Sequence, residues 1–370
     1  MEKVTIIGGG NGAFAAAADL TIRGSQVTLY ELPEFASSLE EVIQRGGIDL
    51  ECLPSNGLQG GFAKLYKITT DIEEALAESE IVMIIVPTYS MATIARLCAP
   101  YLREEQIVAL CPANFGGSLY FHKALQEYGN KNKIWIAEFA CMMYATRKTS
   151  KSSVWIRGYK HNLGVAVFPN RGSQPVFDRL QALYPYITRF HNMIETGLSN
   201  MNTTMHTSIM LMSSASIDNG GEGRLFYREC VTSALDNILE KLNEERMNLT
   251  RIPGVLLPTL PQILQRWYGY QGAEGETVSE LLHSLPIFAK SPLPETLDHR
   301  YLTEDVPYGL IPIAEFMEDY GFDHTMHTAL ATVLCGVCGR DFYQEARTLE
   351  QLGIKGMSLE RLLEYLETGE

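Results

Sequence analysis

Between Val4 and Glu31 the chain passes through an order of residue types that few folds can accommodate. Val4-Thr5-Ile6-Ile7 is a short apolar run rich in β-formers, and Gly8-Gly9-Gly10-Asn11-Gly12-Ala13 follows it without a spacer. Residues 13–23 are alanine-rich and stop at Gly24, the pattern of a helix closed by a glycine. Residues 27–30 make a second β-rich run, which ends on Glu31. Strand, glycine turn, helix, strand and acid in that order predict the first β-α-β unit of a doubly wound sheet.

Each position has a physical task. Gly8 permits the tight turn, Gly10 lets the backbone approach a pyrophosphate, and the small Ala13 allows close packing of helix on strand. The helix start, Asn11-Gly12, offers free N–H groups and a positive dipole end to phosphate. Glu31 lies 23 residues after Gly8 (31 − 8), where its carboxylate can accept from both ribose hydroxyls and repel a 2′-phosphate. The expected cofactor is therefore NAD rather than NADP. A flavin shares the same turn and is the rival. A purely structural glycine turn is disfavoured because the whole strand–turn–helix–strand–acid context is present.

The alternation continues beyond this unit. Residues 81–86, 106–110 and 134–138 read as buried strands, with helices over 71–77, 88–97 and 117–128 between them. Ligands of such sheets bind beyond the carboxyl ends of the strands. That places Pro87 and Thr88 beside the cofactor, and Asn114 and Tyr144 (with Arg147 near it) beside substrate. Residues 154–157, 163–168 and 187–190 look like further strands, and 175–183 a helix.

From about Gly197 helical periodicity takes over. Val231, Leu235, Ile238, Leu239 and Leu242 recur at helical spacing, with Glu240, Lys241, Glu244 and Glu245 expected on a solvated face. The proline-containing residues 286–297 read as a linker. At 370 residues the chain is long enough for two cores, placed at 1–190 and 191–370.

Two polar clusters interrupt the helical half. Asn200-Met201-Asn202-Thr203-Thr204-Met205-His206 opens an apolar helix, and Asn202 and His206 share one face of it (i, i+4). His299-Arg300-Tyr301-Leu302-Thr303-Glu304-Asp305-Val306-Pro307-Tyr308-Gly309 sets arginine, acids and aromatics before a second apolar helix. Alone, His206 reads as a hydrogen-bonded core histidine and Arg300 with Asp305 as a surface pair. Together they supply a group that titrates near neutrality, a carboxylate to fix its tautomer, and a planar cation for a substrate carboxylate.

Taken together, the chain resembles the octopine/nopaline (opine) dehydrogenase family over nearly its whole length. The resemblance is carried by Gly8-Gly9-Gly10-Asn11-Gly12, by Asn200-x-Asn202-x-x-x-His206 and by Arg300-Tyr301-x-x-Glu304-Asp305-Val306-Pro307-Tyr308-Gly309-Leu310. Gly339-Arg340-Asp341 and Arg347-Thr348-Leu349-x-x-Leu352-Gly353 add to it. It implies an α/β fold: a Rossmann-type doubly wound sheet followed by an all-α domain, with the active site in the cleft between them. It implies an NADH-dependent reductive condensation of a pyruvate-like 2-oxo acid with the amino group of an amino acid, and the reverse oxidation. His206 would then be the catalytic histidine, Asp305 its partner, and Arg300 the group nearest the substrate carboxylate. Thr203 stands where the family commonly has proline. The alternatives are a 2-hydroxy-acid or ketopantoate-type NAD(P)-dependent reductase and a non-catalytic NAD-binding protein.

Composition narrows the partners. A net charge of −14 and a pI near 5.1 argue against nucleic acid, which needs a basic face. No apolar stretch approaches the roughly 20 residues that span a bilayer, and no leader pattern precedes Val4, so a cytoplasmic protein is expected. A homodimer is compatible with this reading. Cys335-Gly336-Val337-Cys338 and Asp323-His324-x-x-His327 have metal-like residue types but no further ligand at useful spacing. The cysteines are read as core thiols, and no metal is expected.

Overall fold

Val4–Ile7 does begin a strand, and the chain that follows builds two sheets around one helix. The structure is a computed structural model that describes residues 2–221 and 223–370. The first of its two units comprises the chain up to Ala113, Gly117–Arg189 and Glu367–Gly369; the second comprises Asn114–Gly116, Phe190–Leu366 and Glu370.

The strands of the first unit are β1 (Lys3–Ile7), β2 (Gln26–Tyr30), β3 (Gly47–Cys52), β4 (Gly61–Lys64), β5 (Lys67–Thr69), β6 (Ile81–Ile84), β7 (Ile107–Leu110), β8 (Trp135–Phe139), β9 (Tyr144–Lys148), β10 (Ser153–Tyr159), β11 (Leu163–Phe168) and β12 (Ile187–Arg189). Eight of them form one sheet in the order β12-β11-β8-β7-β6-β1-β2-β5. All neighbours in it are parallel except β8 and β11. β6, β7 and β8 are buried at every position, as parallel strands covered on both faces must be.

A second, mixed sheet runs β4-β3-β10-β9. Residues 154–157, expected as a further strand, belong to this sheet. The helix Asn11–Ile22 packs against β1 and β2 of the large sheet and against all four strands of the small one. Ala13 and Ala15–Ala18 are therefore fully buried on every face. A helix enclosed on both sides has no room for long side chains, which is the physical reason for its alanine run.

One charge is enclosed with it. Asp19 is 1% exposed and accepts from Arg23 at both carboxylate oxygens, 3.0 and 2.6 Å, and from the Tyr144 hydroxyl at 2.5 Å. Burial pushes the Tyr144 phenol well above its usual range, so it stays protonated and donates.

The second unit is helical, and among its described residues the only β-type pairing is an isolated bridge between Leu225 and Pro292. Its longest helices are Asn202–Asp218, Ser233–Asn248 and Thr325–Cys338. Leu235, Leu239 and Leu242 face inward as their spacing predicts. Residues 286–297 are not a linker: Ile287, Phe288 and Leu293 are buried, and Leu293 N–H donates to the Arg224 carbonyl at 3.0 Å. Cys335 and Cys338 are half-exposed rather than core thiols.

Glu245 corrects the expected solvated face. It is 4% exposed, and its carboxylate accepts from the backbone N–H groups of Met326 (2.5 Å) and His327 (3.1 Å) and lies 2.7 Å from His327 Nδ1. Those N–H groups open the helix Thr325–Cys338, so a carboxylate from another helix caps it beside the local Asp323, which takes the Thr325 N–H at 3.1 Å, while the N-cap His324 side chain caps nothing. His327 is thereby committed to Glu245, while His324 Nδ1 meets the Thr328 hydroxyl at 2.9 Å.

Burial pushes the Glu245 carboxyl up, but the bonds from His327 and the two N–H groups outweigh it and hold the carboxyl below its usual range. Its stabilising contribution is thus present above the unfolded carboxylate pKa (about 4.3) and is lost as pH falls through the lower folded value. Glu245→Gln should cost about 1–3 kcal/mol at neutral pH, with the gap from the parent closing below about pH 4. Urea unfolding midpoints at the two pH values test this; an equal gap at both would contradict it.

Candidate active site

Gly8 has φ +125°, and a Cβ there would sit 2.4 Å from the Ile85 carbonyl oxygen, so no other residue fits the turn. A Cβ on Gly9 would meet Glu31 Oε2 at 2.5 Å and Ser38 Oγ at 2.8 Å, whereas Gly10 faces open space with no atom within 4 Å. Gly10 is also the N-cap of the helix Asn11–Ile22, and no side chain caps that helix. A turn that is closed at Gly8 and open at Gly10, beside uncapped N–H groups, fits a pyrophosphate.

Glu31 stands at the end of β2. Its Oε1 accepts from Leu32 N–H at 2.8 Å, and burial pushes its carboxyl up against the opposing pull of the Leu32 and Gly9 N–H groups and Lys148. Two side chains at this turn were missed from sequence. Ser38 Oγ is buried without a hydrogen-bond partner, within reach of the Gly9–Glu31 contact. Lys148 Nζ donates to the Gly9 carbonyl at 3.2 Å and lies 3.5 Å from the centre of the Phe14 ring, and its backbone N–H donates to Asn11 Oδ1 at 2.8 Å. Burial lowers the Lys148 ammonium while Glu31 opposes the shift. β9, which carries Lys148, has no strong strand pattern, and nothing in the sequence relates it to the turn.

Ala13 is fully buried against the sheet. Thr88, 1% exposed, begins a short turn just after β6 and Pro87. Tyr144, expected beside substrate, is 2% exposed with its hydroxyl held by Asp19, so it belongs to the core of the first unit.

In the helical unit the two polar clusters meet. His206 lies one turn inside the helix Asn202–Asp218 and is 5% exposed. Its Nδ1 is 2.8 Å from Asp305 Oδ2 and its Nε2 is 2.9 Å from the Tyr227 hydroxyl. The Tyr301 ring stacks on the imidazole at a centroid distance of 3.9 Å. Asp305 immediately precedes the π-helical turn Val306–Leu310. Burial first, then Tyr301, pushes the Tyr227 phenol well above its usual range.

What sets this geometry is the close approach of the Gly309 backbone to the Thr203 side chain. A Cβ on Gly309 would fall 2.4 Å from Thr203 Oγ1, so only glycine lets the π-helical turn lie against the start of the His206 helix. Thr203 is the residue that fills this contact, and the helix begins at Asn202. Behind the turn, the buried Arg347 donates from Nη1 to the Phe115 carbonyl at 2.9 Å and from its backbone N–H to the Pro307 carbonyl at 3.0 Å.

The same strip carries Asn114, buried with φ +54°, whose Oδ1 accepts from Asn200 Nδ2 at 2.6 Å. Asn200 Oδ1 in turn accepts from the Asn202 N–H at 3.3 Å. Arg300 stands one helical turn before Asp305 with its side chain 63% exposed, its Nε 3.7 Å from Glu304 Oε2. The site thus holds two polar groups, the buried His206–Asp305 pair and the Asn114–Asn200–Asn202 bonds at the start of the same helix, with the exposed Arg300 preceding Asp305.

Comparison with known proteins follows the two units. Residues 189–338 match the model for the NAD/NADP octopine/nopaline dehydrogenase alpha-helical domain, and residues 3–117 match that for the NAD-dependent glycerol-3-phosphate dehydrogenase N-terminus. The helical part of the chain is that of the octopine/nopaline dehydrogenase family. An opine dehydrogenase from Arthrobacter sp. (strain 1C) is 28% identical over 96% of both chains. Solved structures of octopine dehydrogenase share the fold: one in complex with NADH and agmatine has a TM-score of 0.82 at 18% identity, covering 100% of this chain and 98% of that one. Another, with NADH and pyruvate, has a TM-score of 0.77 at 17% identity with the same coverage.

Gly309→Ala should overpack the contact with Thr203 and destabilise the protein by about 1–3 kcal/mol. Thr203→Ser in the same chain should recover part of that loss by removing a methyl group from the crowded contact. Chemical denaturation of the single and double variants measures both effects; additive losses would refute the contact as the cause.

Proposed function

We propose that this chain is an opine dehydrogenase: a cytoplasmic, NADH-dependent oxidoreductase that joins the amino group of an amino acid to a pyruvate-like 2-oxo acid and catalyses the reverse oxidation. The observation that carries the reading is the His206–Asp305 pair at 2.8 Å, buried in the helical unit with the exposed Arg300 one turn away. A histidine held by a carboxylate on one ring nitrogen and a hydroxyl on the other, beneath the rings of Tyr301 and Phe226, is placed for an acid–base task beyond packing.

The glycine turn would hold the cofactor through Gly8, Gly10, Asn11, Gly12 and Ala13, with Glu31 on the adenosine ribose. Ser38 and Lys148 extend that set: a hydroxyl beside Glu31, and a cation over the turn that offsets pyrophosphate charge. Pro87 and Thr88 lie at the carboxyl end of β6 on the same side of the sheet. NADH, when bound, supplies the hydride that reduces the C=N carbon.

The protein's own residues manage the substrates and the proton. Arg300 offers a planar, bidentate donor to the carboxylate of either substrate. Asn202 and Asn114 supply polar contacts near the helix start. Asp305 accepts from Nδ1–H of His206 and so leaves Nε2 as the nitrogen that exchanges a proton. In condensation that proton comes from the amino acid's ammonium group and leaves with the carbonyl oxygen as water.

Three experiments test this reading. NADH oxidation should require pyruvate together with an amino acid, screened across the common amino acids with mass analysis of the product; oxidation with pyruvate alone would mark a 2-hydroxy-acid reductase instead. His206→Ala should lower turnover by about 10²–10⁴-fold, the range for an acid–base group, while NADH affinity is retained. Lys148→Met should weaken NADH binding about tenfold or more, the loss of one charge-assisted bond of roughly 1.5–3 kcal/mol. Fluorescence titration reads that directly, and an unchanged dissociation constant would remove Lys148 from the site.

A further inference from the structure

His206 Nε2, the nitrogen left to exchange a proton, is not open: the Tyr227 hydroxyl sits on it at 2.9 Å. We infer that Tyr227 is a member of a proton relay, so that protons pass between His206 and the substrates through the Tyr227 hydroxyl and not directly from the imidazole. The inference rests on the opine dehydrogenase reading and deepens it.

The geometry leaves two routes for a proton at Nε2. Tyr227 either swings away or passes the proton on. Swinging away is obstructed. Tyr227 is 6% exposed, and its ring is packed at centroid distances of 4.8 Å against Phe226 and 4.7 Å against Phe288, with Phe226 in turn 4.8 Å from Tyr301. Moving it would open a void among aromatic rings in the unit's interior.

Passing the proton on needs no such movement. With Nδ1–H donating to Asp305, neutral His206 accepts the Tyr227 O–H at Nε2; protonated His206 donates its Nε2–H to the Tyr227 oxygen. The hydroxyl therefore serves both protonation states of the ring without changing place. Burial disfavours a free tyrosinate, so the hydroxyl must receive one proton as it gives the other.

The steps balance as follows. On condensation the ammonium N–H bond of the amino acid breaks, its proton bonds to the Tyr227 oxygen, and the Tyr227 proton moves to His206 Nε2, leaving a free amine and an imidazolium held by Asp305. The amine adds to the carbonyl carbon of the 2-oxo acid, and proton transfer from nitrogen to oxygen gives a neutral carbinolamine. The relay then runs backwards: the Tyr227 proton bonds to the carbinolamine hydroxyl, the C–O bond breaks with its electron pair leaving on water, and the nitrogen lone pair closes the C=N bond. His206 returns its proton to the Tyr227 oxygen. Both residues end as they began, and the C=N carbon is ready for the hydride of NADH.

The test is Tyr227→Phe, which keeps the ring and removes the hydroxyl. Single-turnover NADH oxidation is measured with pyruvate and the amino acid giving the highest rate in the screen above, alongside wild type and His206→Ala. The relay predicts a rate loss of about 10²-fold, within the range for an acid–base group, with KM and NADH affinity within a few-fold of wild type. It also predicts a bowed dependence on deuterium fraction in wild type, for two protons in flight, that becomes linear in Tyr227→Phe.

A Tyr227→Phe rate equal to or above that of wild type, with His206→Ala inactive, would overturn the relay alone and make Tyr227 a displaceable plug. Full activity in His206→Ala would instead overturn the functional reading on which the relay rests. If circular dichroism shows Tyr227→Phe to be misfolded, the wild-type isotope dependence decides: a bowed plot supports the relay and a linear one overturns it.

Discussion

A helix with a sheet on each side has no outward face, and in the first unit almost everything follows from that enclosure. The helix Asn11–Ile22 must be thin, so it is built of alanine; it must start at a glycine turn, so its first N–H groups stay uncovered; and its single acid, Asp19, must find partners inside the protein. Arg23 and Tyr144 supply them. The second sheet exists in this arrangement as the cover that completes the enclosure. Without it, one flank of an alanine helix would face water with little apolar area to bury.

The helical unit solves a different problem, that of holding polar groups in an interior made of Leu, Ile and Phe. It does so by pairing across elements distant in sequence. Asp305 meets His206, Glu245 meets His327 and the start of its helix, and Arg347 braces the backbone of Phe115 and Pro307. A buried polar group left unmatched costs about 1–3 kcal/mol, so each pair also enforces one arrangement of the elements that carry it. The candidate site is one of these pairs with a tyrosine on its outward nitrogen.

How much of this could be read from the chain depended on whether the signal was local. The glycine turn, the apolar strands β6 and β7, and the His206 and Asp305 clusters all announce themselves within a dozen residues. Glu245 did not: by helical spacing it belongs with Glu240, Lys241 and Glu244 on a wet face, and only the distant start of the helix Thr325–Cys338 makes it a cap. Tyr227 and Ser38 lie in stretches with no pattern, and their roles come from what folds against them. Tyr144 was misread because the end of a sheet and the face of a buried helix are both plausible places for a tyrosine after β8. The string around Asp305 was legible, but the reason for its Gly309, contact with the Thr203 side chain, required the two elements to be seen side by side.

β9 is short, yet it touches the enclosed helix at both ends. Tyr144 holds Asp19 near the carboxyl end of that helix, and four residues later Lys148 reaches Gly9 and Asn11 at its start. The strand therefore acts as a gauge block, fixing how far the small sheet may slide along the helix. Because alternate side chains of a strand point to opposite faces, inserting or deleting one residue between Tyr144 and Lys148 would turn one of the two away. The length of this segment is as constrained as the glycine spacing itself, though no glycine or motif marks it.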